Sequence, residues 1–253
     1  MGPLLGGLIA EQFGMRNVFL LVGFFLFLVS VLTWWGIEED YQQISKEEHI
    51  SSWTLLASIQ HKDILLGLFL TSMTIQMIGQ SISPILPLYV RELGQSNNII
   101  FVSGLIVSAM GISSILTSGW MGKLGDRIGN HRLLLLALLY SGILYIFCAL
   151  AQTPFQLGLL RFLFGIGTGA LMPGVTALLN RMTPKEGISR IFSYNQLFFY
   201  VGGVLGPMIG SSIAMHVNYH WVFYGTANLA FIDLAFLLFI FRKYLKVREI
   251  SAH

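Results

Sequence analysis

Residues 1–19 read MGPLLGGLIAEQFGMRNVF, and residues 205–223 read LGPMIGSSIAMHVNYHWVF. With Gly2 set against Gly206 the two stretches align without a gap. Pro3 meets Pro207, Gly6 meets Gly210, Ile9 meets Ile213, Ala10 meets Ala214, Val18 meets Val222 and Phe19 meets Phe223. Each copy ends one apolar segment, turns, and begins another. Apolar residues pair by chance in any greasy chain, but a shared GPxxG is a more specific match. Internal repeats of membrane helices are how secondary transporters are assembled. The repeat therefore predicts an all-α membrane protein built from two related bundles.

Composition points the same way. Apolar residues make up 55% of the 253, charged residues only 11%, and mean hydropathy is +0.71. A soluble domain is about a quarter charged, because water must wet its surface. This chain cannot cover itself with polar groups, so lipid is its expected outer solvent. Its one cysteine, Cys148, lies in an apolar run and can form no internal disulfide. There is no Cys/His cluster with metal-ligand spacing, no phosphate-binding glycine loop and no Ser-His-Asp pattern. The sequence thus implies neither metal nor cofactor, and nothing in it argues for an enzyme.

About 20 apolar residues are needed to cross a hydrocarbon core about 30 Å thick. Seven segments meet that length, at roughly 18–36, 63–90, 99–121, 133–151, 155–179, 192–214 and 221–241. Residues 1–12 are apolar but too short. The loops 37–62, 122–132 and 180–191 and the tail 242–253 carry twelve Lys and Arg, whereas the opposite side has only Arg16 and Arg91. The positive-inside rule then puts those loops, and the C-terminus, in the cytoplasm. Within the long loop, Trp53, Leu55, Leu56 and Ile59 are compatible with a helix lying on the headgroups, or with a solvated linker between bundles.

The repeat also implies what precedes it. Gly206 falls 144 residues after Lys62, where the second bundle begins, whereas the first GP dipeptide stands at residue 2. An equivalent first bundle would need roughly 140 residues ahead of Met1, about four helices and part of a fifth. Met1 therefore reads as an internal methionine, and the chain as a fragment or a late-assigned start. The expected organisation is an end of the N-terminal bundle at 1–36, a cytoplasmic linker at 37–62, a six-helix bundle at 63–241 and a cytoplasmic tail at 242–253.

The stretch GKLGDRIGNHR, 122–132, resembles the loop signature of the major facilitator superfamily, Gly-x-x-x-Asp-Arg-x-Gly followed by basic residues. It stands where that family has its second copy, between the second and third helices of the C-terminal bundle. GPLLGG at 2–7 and GGVLGPMIG at 202–210 resemble the signature of the superfamily's twelve-span drug:proton antiporters. The resemblance covers the whole chain, from part of helix five to helix twelve. It departs at Asn130 and His131, which replace a usual basic pair.

By resemblance, the gating element comprises Gly122, Asp126, Arg127, Gly129 and Arg132, and latches the cytoplasmic face against the opposite bundle. Physically, Asp126 is expected just ahead of the helix near Leu133, favoured by its positive end and within reach of Arg127 and Arg132. Gly122, Gly125 and Gly129 are expected to allow a tight turn and close helix approach. The antiporter-type motifs comprise Gly2, Pro3 and Gly6 in the first copy and Gly202, Gly206, Pro207 and Gly210 in the second. Gly202, Gly206 and Gly210 recur every four residues, a bare helical stripe that admits a neighbour closely. Pro207 removes a backbone bond and bends the span.

Ser72, Gln76 and Gln80 share one helical face, and amides are costly against lipid, so this face should look inward. It is a candidate wall of the substrate cavity, or a set of interhelical hydrogen bonds. Asn195, Gln196 and Phe199, in FSYNQLFFYVGG, suit a roomy site for lipophilic and often cationic compounds. Two ionisable residues lie within spans. Asp233 is about 18 Å deep from Trp221, and Arg161 about 9 Å deep from Phe155, so a direct pair needs an extended arginine. Asp233 is a candidate proton carrier, or a protonated group paired with Asn228 or a nearby hydroxyl.

Together with these features, the resemblance implies a secondary transporter of the bacterial plasma membrane that exports small lipophilic compounds in exchange for protons. Its partners would be the lipid bilayer, those substrates, protons and a preceding N-terminal bundle. A metabolite or sugar carrier of the same fold, and a non-transporting membrane fragment, remain alternatives at this stage.

Overall fold

A computed structural model of the chain describes residues 2–36, 62–95, 97–184 and 187–250. All regular structure among them is helical: α1 (Gly2–Phe13), α2 (Met15–Gly36), α3 (Lys62–Gln80), α4 (Leu86–Glu92), α5 (Ile99–Ile128), α6 (Asn130–Ala149), α7 (Pro154–Met182), α8 (Ile188–His216) and α9 (Tyr219–Ile250). Seven of these helices, α2, α3 and α5 to α9, are long and apolar enough to cross a membrane. The chain is a multi-pass membrane protein. The proposed headgroup helix at Trp53–Ile59 lies outside the described residues.

Local sequence explains several helix ends. Thr153 is extended, and its hydroxyl accepts from the Gln156 amide at 3.2 Å, with Pro154 as the first helical residue of α7. Such a cap satisfies a donor the helix cannot, and proline there gives up nothing. The junction between α5 and α6 is a single residue, Gly129, at φ 94°. An L side chain rarely adopts that angle, so glycine makes the abrupt break possible.

Two expectations are corrected here. The segment 63–90 is two helices, not one span: α3 ends at Gln80, a turn follows, and α4 starts at Leu86. Pro84 and Pro87 lack the N–H groups that a continuous helix would use there. The gating stretch is not a loop ahead of a helix either. Its glycines do not stop α5, which runs through Asp126 to Ile128.

In lipid, apolar burial between helices gains little, so packing and polar contacts decide which faces meet. The main neighbours are α5 with α7, α3 with α8, and α6 with both α7 and α9. Two apolar clusters result. One gathers Leu65, Leu68, Leu134, Leu138, Leu171 and Leu237 toward the end carrying the gating stretch. The other gathers Ile78, Leu86, Tyr89, Tyr145, Phe164 and Phe223 toward the opposite end. Buried Thr71, Ser72, Ser141 and Asp233 fall in sequence between the residues of the two clusters.

The opening repeat copy packs across this bundle. α1 lies against α5, where a Cβ on Gly7 would come 3.1 Å from the Ile100 carbonyl oxygen. Gly6, the partner of Gly210 in the alignment, has open space beside it. α2 buries none of its residues and exposes Phe19, Phe24, Phe27, Trp34 and Trp35.

Candidate transport site and gate

The glycine stripe of α8 meets α3 backbone to backbone. A Cβ on Gly206 would sit 2.8 Å from the Met77 carbonyl oxygen, and one on Gly202 or Gly210 would collide with the carbonyl of Met73 or Ser81. All three glycines are buried. Pro207 lies inside α8, which continues unbroken to His216. Gly203, one residue from the stripe, faces only the Gln76 side chain at 3.5 Å.

Close approach puts polar groups of the two helices in register. Ser72 donates to Asn195 Oδ1 at 2.7 Å, and both side chains are buried. These two candidate cavity residues are thus tied to each other. Gln76 stands beside Gly203 at the α3–α8 seam, Gln80 follows it by one turn of α3 and Phe199 precedes Gly203 by one turn of α8; all three are half-buried, and Gln196 is exposed. Ser83 donates to Gln80 Oε1 at 2.9 Å in the turn after α3. Of the neighbouring aromatics, Phe198 stacks on Phe69 at 5.4 Å within the core, whereas Tyr200 is exposed. The seam therefore presents Gln76, Gln80, Phe199 and Gln196 along an accessible border, with Ser72 and Asn195 behind it.

The intramembrane charges are apart. Asp233 Oδ1 accepts from Thr71 Oγ1 at 3.1 Å, joining α9 to α3, and its Oδ2 has no hydrogen-bond partner among the described residues. Asn228, offered from sequence as its partner, stands on the same helix and does not hold it. Arg161 Nη1 donates to the Tyr145 hydroxyl at 3.3 Å, with the guanidinium 5.6 Å from the Tyr145 ring centre and 5.8 Å from that of Phe164. Aromatic faces attract a cation, and the attraction grows where water is excluded. Arg161 and Asp233 make no ion pair with each other.

At the gating stretch, Asp126 pairs with Arg181 at the end of α7, at 3.9 Å. This corrects the expected partners: neither Arg127 nor Arg132 makes that contact among the described residues. Gly125 is needed for close approach, since a Cβ there would run into Asn130 Oδ1 and come 3.0 Å from Leu133. Gly122, expected to do the same, has open space. The two departures from the basic pair have a physical basis. Asn130 is buried at the start of α6, and the half-buried His131 ring stands edge-on to Phe241 at 6.0 Å. A fixed charge would be costly in either place.

The Asp126–Arg181 pair is exposed, 74% and 61% respectively. Exposed pairs contribute about 0–1 kcal/mol. Asp126→Asn is therefore expected to leave the melting temperature nearly unchanged, and under the gating role that the resemblance implies it would slow turnover of the whole transporter. A thermal melt and an efflux rate on the same preparation test this. A large loss of stability would make the residue a structural support instead of a gate.

Sequence reading missed Thr71, Tyr145, Arg181 and Gly7. A phenol in the apolar run of α6 was the available signal for Tyr145, because a buried tyrosine hydroxyl usually finds a partner.

Comparison with known proteins agrees with this architecture. The Major Facilitator Superfamily model matches residues 1–103 and 64–252. The chain is 59% identical over 249 residues to the "Multi-drug resistance efflux pump PmrA" of Streptococcus pneumoniae serotype 4, covering 98% of this chain and 62% of that protein. It is 47% identical to the PmrA homolog of Lactococcus lactis, over 99% of this chain and 62% of that protein. It is 44% identical to the "Multidrug resistance protein MdtG" of Salmonella arizonae, over 90% of this chain and 57% of that protein. The chain thus spans about three-fifths of the length of the curated relatives it matches. With its repeated GPxxG, its seven spans and its family match over nearly every residue, the chain belongs to the Major Facilitator Superfamily.

Proposed function

We propose that the chain supplies the C-terminal bundle of a drug exporter of the plasma membrane. By this reading the whole transporter alternates access to a central cavity and exchanges lipophilic compounds for protons. The single observation carrying it is the seam between α3 and α8. Three glycines lie on backbone carbonyls there, and an accessible amide and aromatic border stands alongside. A tightly sealed seam keeps protons from leaking past the substrate, and amides with aromatics accept varied lipophilic cations. The relatives whose names describe multidrug efflux share 47–59% identity with it, which supports the same substrate class.

The C-terminus would be cytoplasmic, given the twelve basic residues in the loops assigned to that side. Residues 63–241 would form the bundle, 37–62 its cytoplasmic linker to the preceding one, and 242–253 the tail. Asp126 would act with the opposite bundle as the inner latch, and Asp233 would be this half's candidate proton carrier.

Gln76→Ala and Gln80→Ala test the cavity assignment. Each is expected to change the relative export of several dyes, raising the KM of some severalfold while sparing others. Retention of every substrate's KM would remove both glutamines from the cavity.

A further inference from the structure

The break after α3 leaves carbonyl groups without their usual helical donors. Met77 keeps its ordinary helical donor, the Ser81 amide at 2.9 Å, and Gln80 finds a substitute in the turn, the Ser83 amide at 3.2 Å. The Ile78 carbonyl instead accepts from the Tyr145 hydroxyl of α6 at 2.6 Å and from Ser81 Oγ at 3.2 Å. Tyr145 is fully buried, and its oxygen in turn accepts from Arg161 Nη1 of α7. Arg161 is itself buried, its charge met by two aromatic rings and the Met110 sulfur at 3.8 Å, with no acid paired to it among the described residues. A buried cation is costly, and its partners here are arranged around one phenol. A cation also suits the negative end of a helix, which is what the C-terminus of α3 presents.

We propose that Arg161 and Tyr145 are positioning residues that clamp the Ile78 carbonyl and so set the angle between α3 and α4. Arg161 polarises the phenol it donates to, which strengthens the phenol's own donation to Ile78. α4 follows the end of the seam where Ser81 meets Gly210 and packs on α5, so on this reading its angle governs how wide that end opens. The proposal deepens the transport reading above and rests on it for its consequence, but the clamp itself is a statement about geometry.

The test uses the 253-residue chain in lipid nanodiscs, with Cys148→Ala and spin labels on Leu88→Cys in α4 and Met215→Cys at the end of α8. Both labelled positions are exposed. Tyr145→Phe keeps the ring and removes the donor. It and Arg161→Met are expected to shift the label–label distance and add a second population. Arg161→Lys, which keeps a donor and a charge, is expected to restore much of the parent distribution. Leu144→Ala, beside Tyr145 in the same cluster, should lower stability without moving the labels.

An unshifted distribution in Tyr145→Phe, or an equal shift in Leu144→Ala, would overturn the clamp. In cells where the parent chain supports dye efflux, Tyr145→Phe should lower maximal rate roughly three- to tenfold, the weight of one hydrogen bond, with KM little changed. A label shift without any efflux by the parent chain joined to the first bundle of the pneumococcal relative would retain the clamp and reject the transport reading.

Discussion

Replacing Gly210 with alanine is expected to destabilise the bundle by about 1–3 kcal/mol, the cost typical of overpacking where backbone must move, and to end transport by the exporter proposed above. The added methyl would collide with the Ser81 carbonyl, and a carbonyl in a helical turn cannot rotate away as a side chain does. Separating the two helices would also stretch the Ser72–Asn195 hydrogen bond farther down the seam. Gly203→Ala is the control on the same helix, since its methyl meets only a flexible glutamine at ordinary contact distance. Melting curves in detergent with dye efflux in cells separate the two variants. Equal stability and equal efflux would mean that α3 and α8 do not meet through that stripe.

The second large effect is expected at Asp233. Asp233→Asn keeps the volume and an oxygen that accepts from Thr71, but cannot bind and release a proton. With the 3.1 Å bond to Thr71 retained, folding should persist; in a full-length transporter whose proton Asp233 carries, proton-driven efflux is lost while downhill substrate exchange continues. The two readouts divide a coupling role from a packing role. If efflux still follows the proton gradient at normal expression, Asp233 has no part in coupling. Thr71→Val is the complementary change. It strips the carboxylate of its hydrogen-bond donor, and a shifted pH dependence of efflux is the expected result.

Much of this was legible in the chain because membrane helices have a strong signal. Twenty apolar residues in a row admit few other structures, so seven spans could be counted directly. The stripe of Gly202, Gly206 and Gly210 was equally readable, since period four places three bare positions on one side of a helix. What the stripe touches was not readable, because the facing carbonyls of Met73, Met77 and Ser81 carry no side-chain signature.

The remaining misreadings share a cause, which is that long-range partners decide local outcomes. Pro84 and Pro87 are compatible with a kink or with a full break. The Tyr145 hydroxyl, 67 residues away from Ile78, helps to support the break by taking a freed carbonyl. For Asp233 the sequence offered Asn228 or a nearby hydroxyl; the partner is a hydroxyl, but Thr71 lies 162 residues away and could not be picked out from the chain. Glycines at 122, 125 and 129 read as a loop, but only Gly129 adopts a positive φ, so α5 runs nearly to that point. Arg181 could not be chosen over Arg127 and Arg132 without knowing that α7 ends beside α5.

The central claim is proton-driven export through a cavity bordered by the α3–α8 seam, and everted membrane vesicles test it most directly. The vesicles would carry the chain joined at its N-terminus to the first bundle of the 59%-identical pneumococcal relative. An imposed pH gradient, acid inside, would be the only driving force, with a lipophilic cationic dye as substrate. Dye accumulation that collapses on adding a protonophore, and that Gly210→Ala abolishes, is the predicted result. Dye movement indifferent to the gradient, in vesicles where the joined protein is folded and inserted, would contradict it.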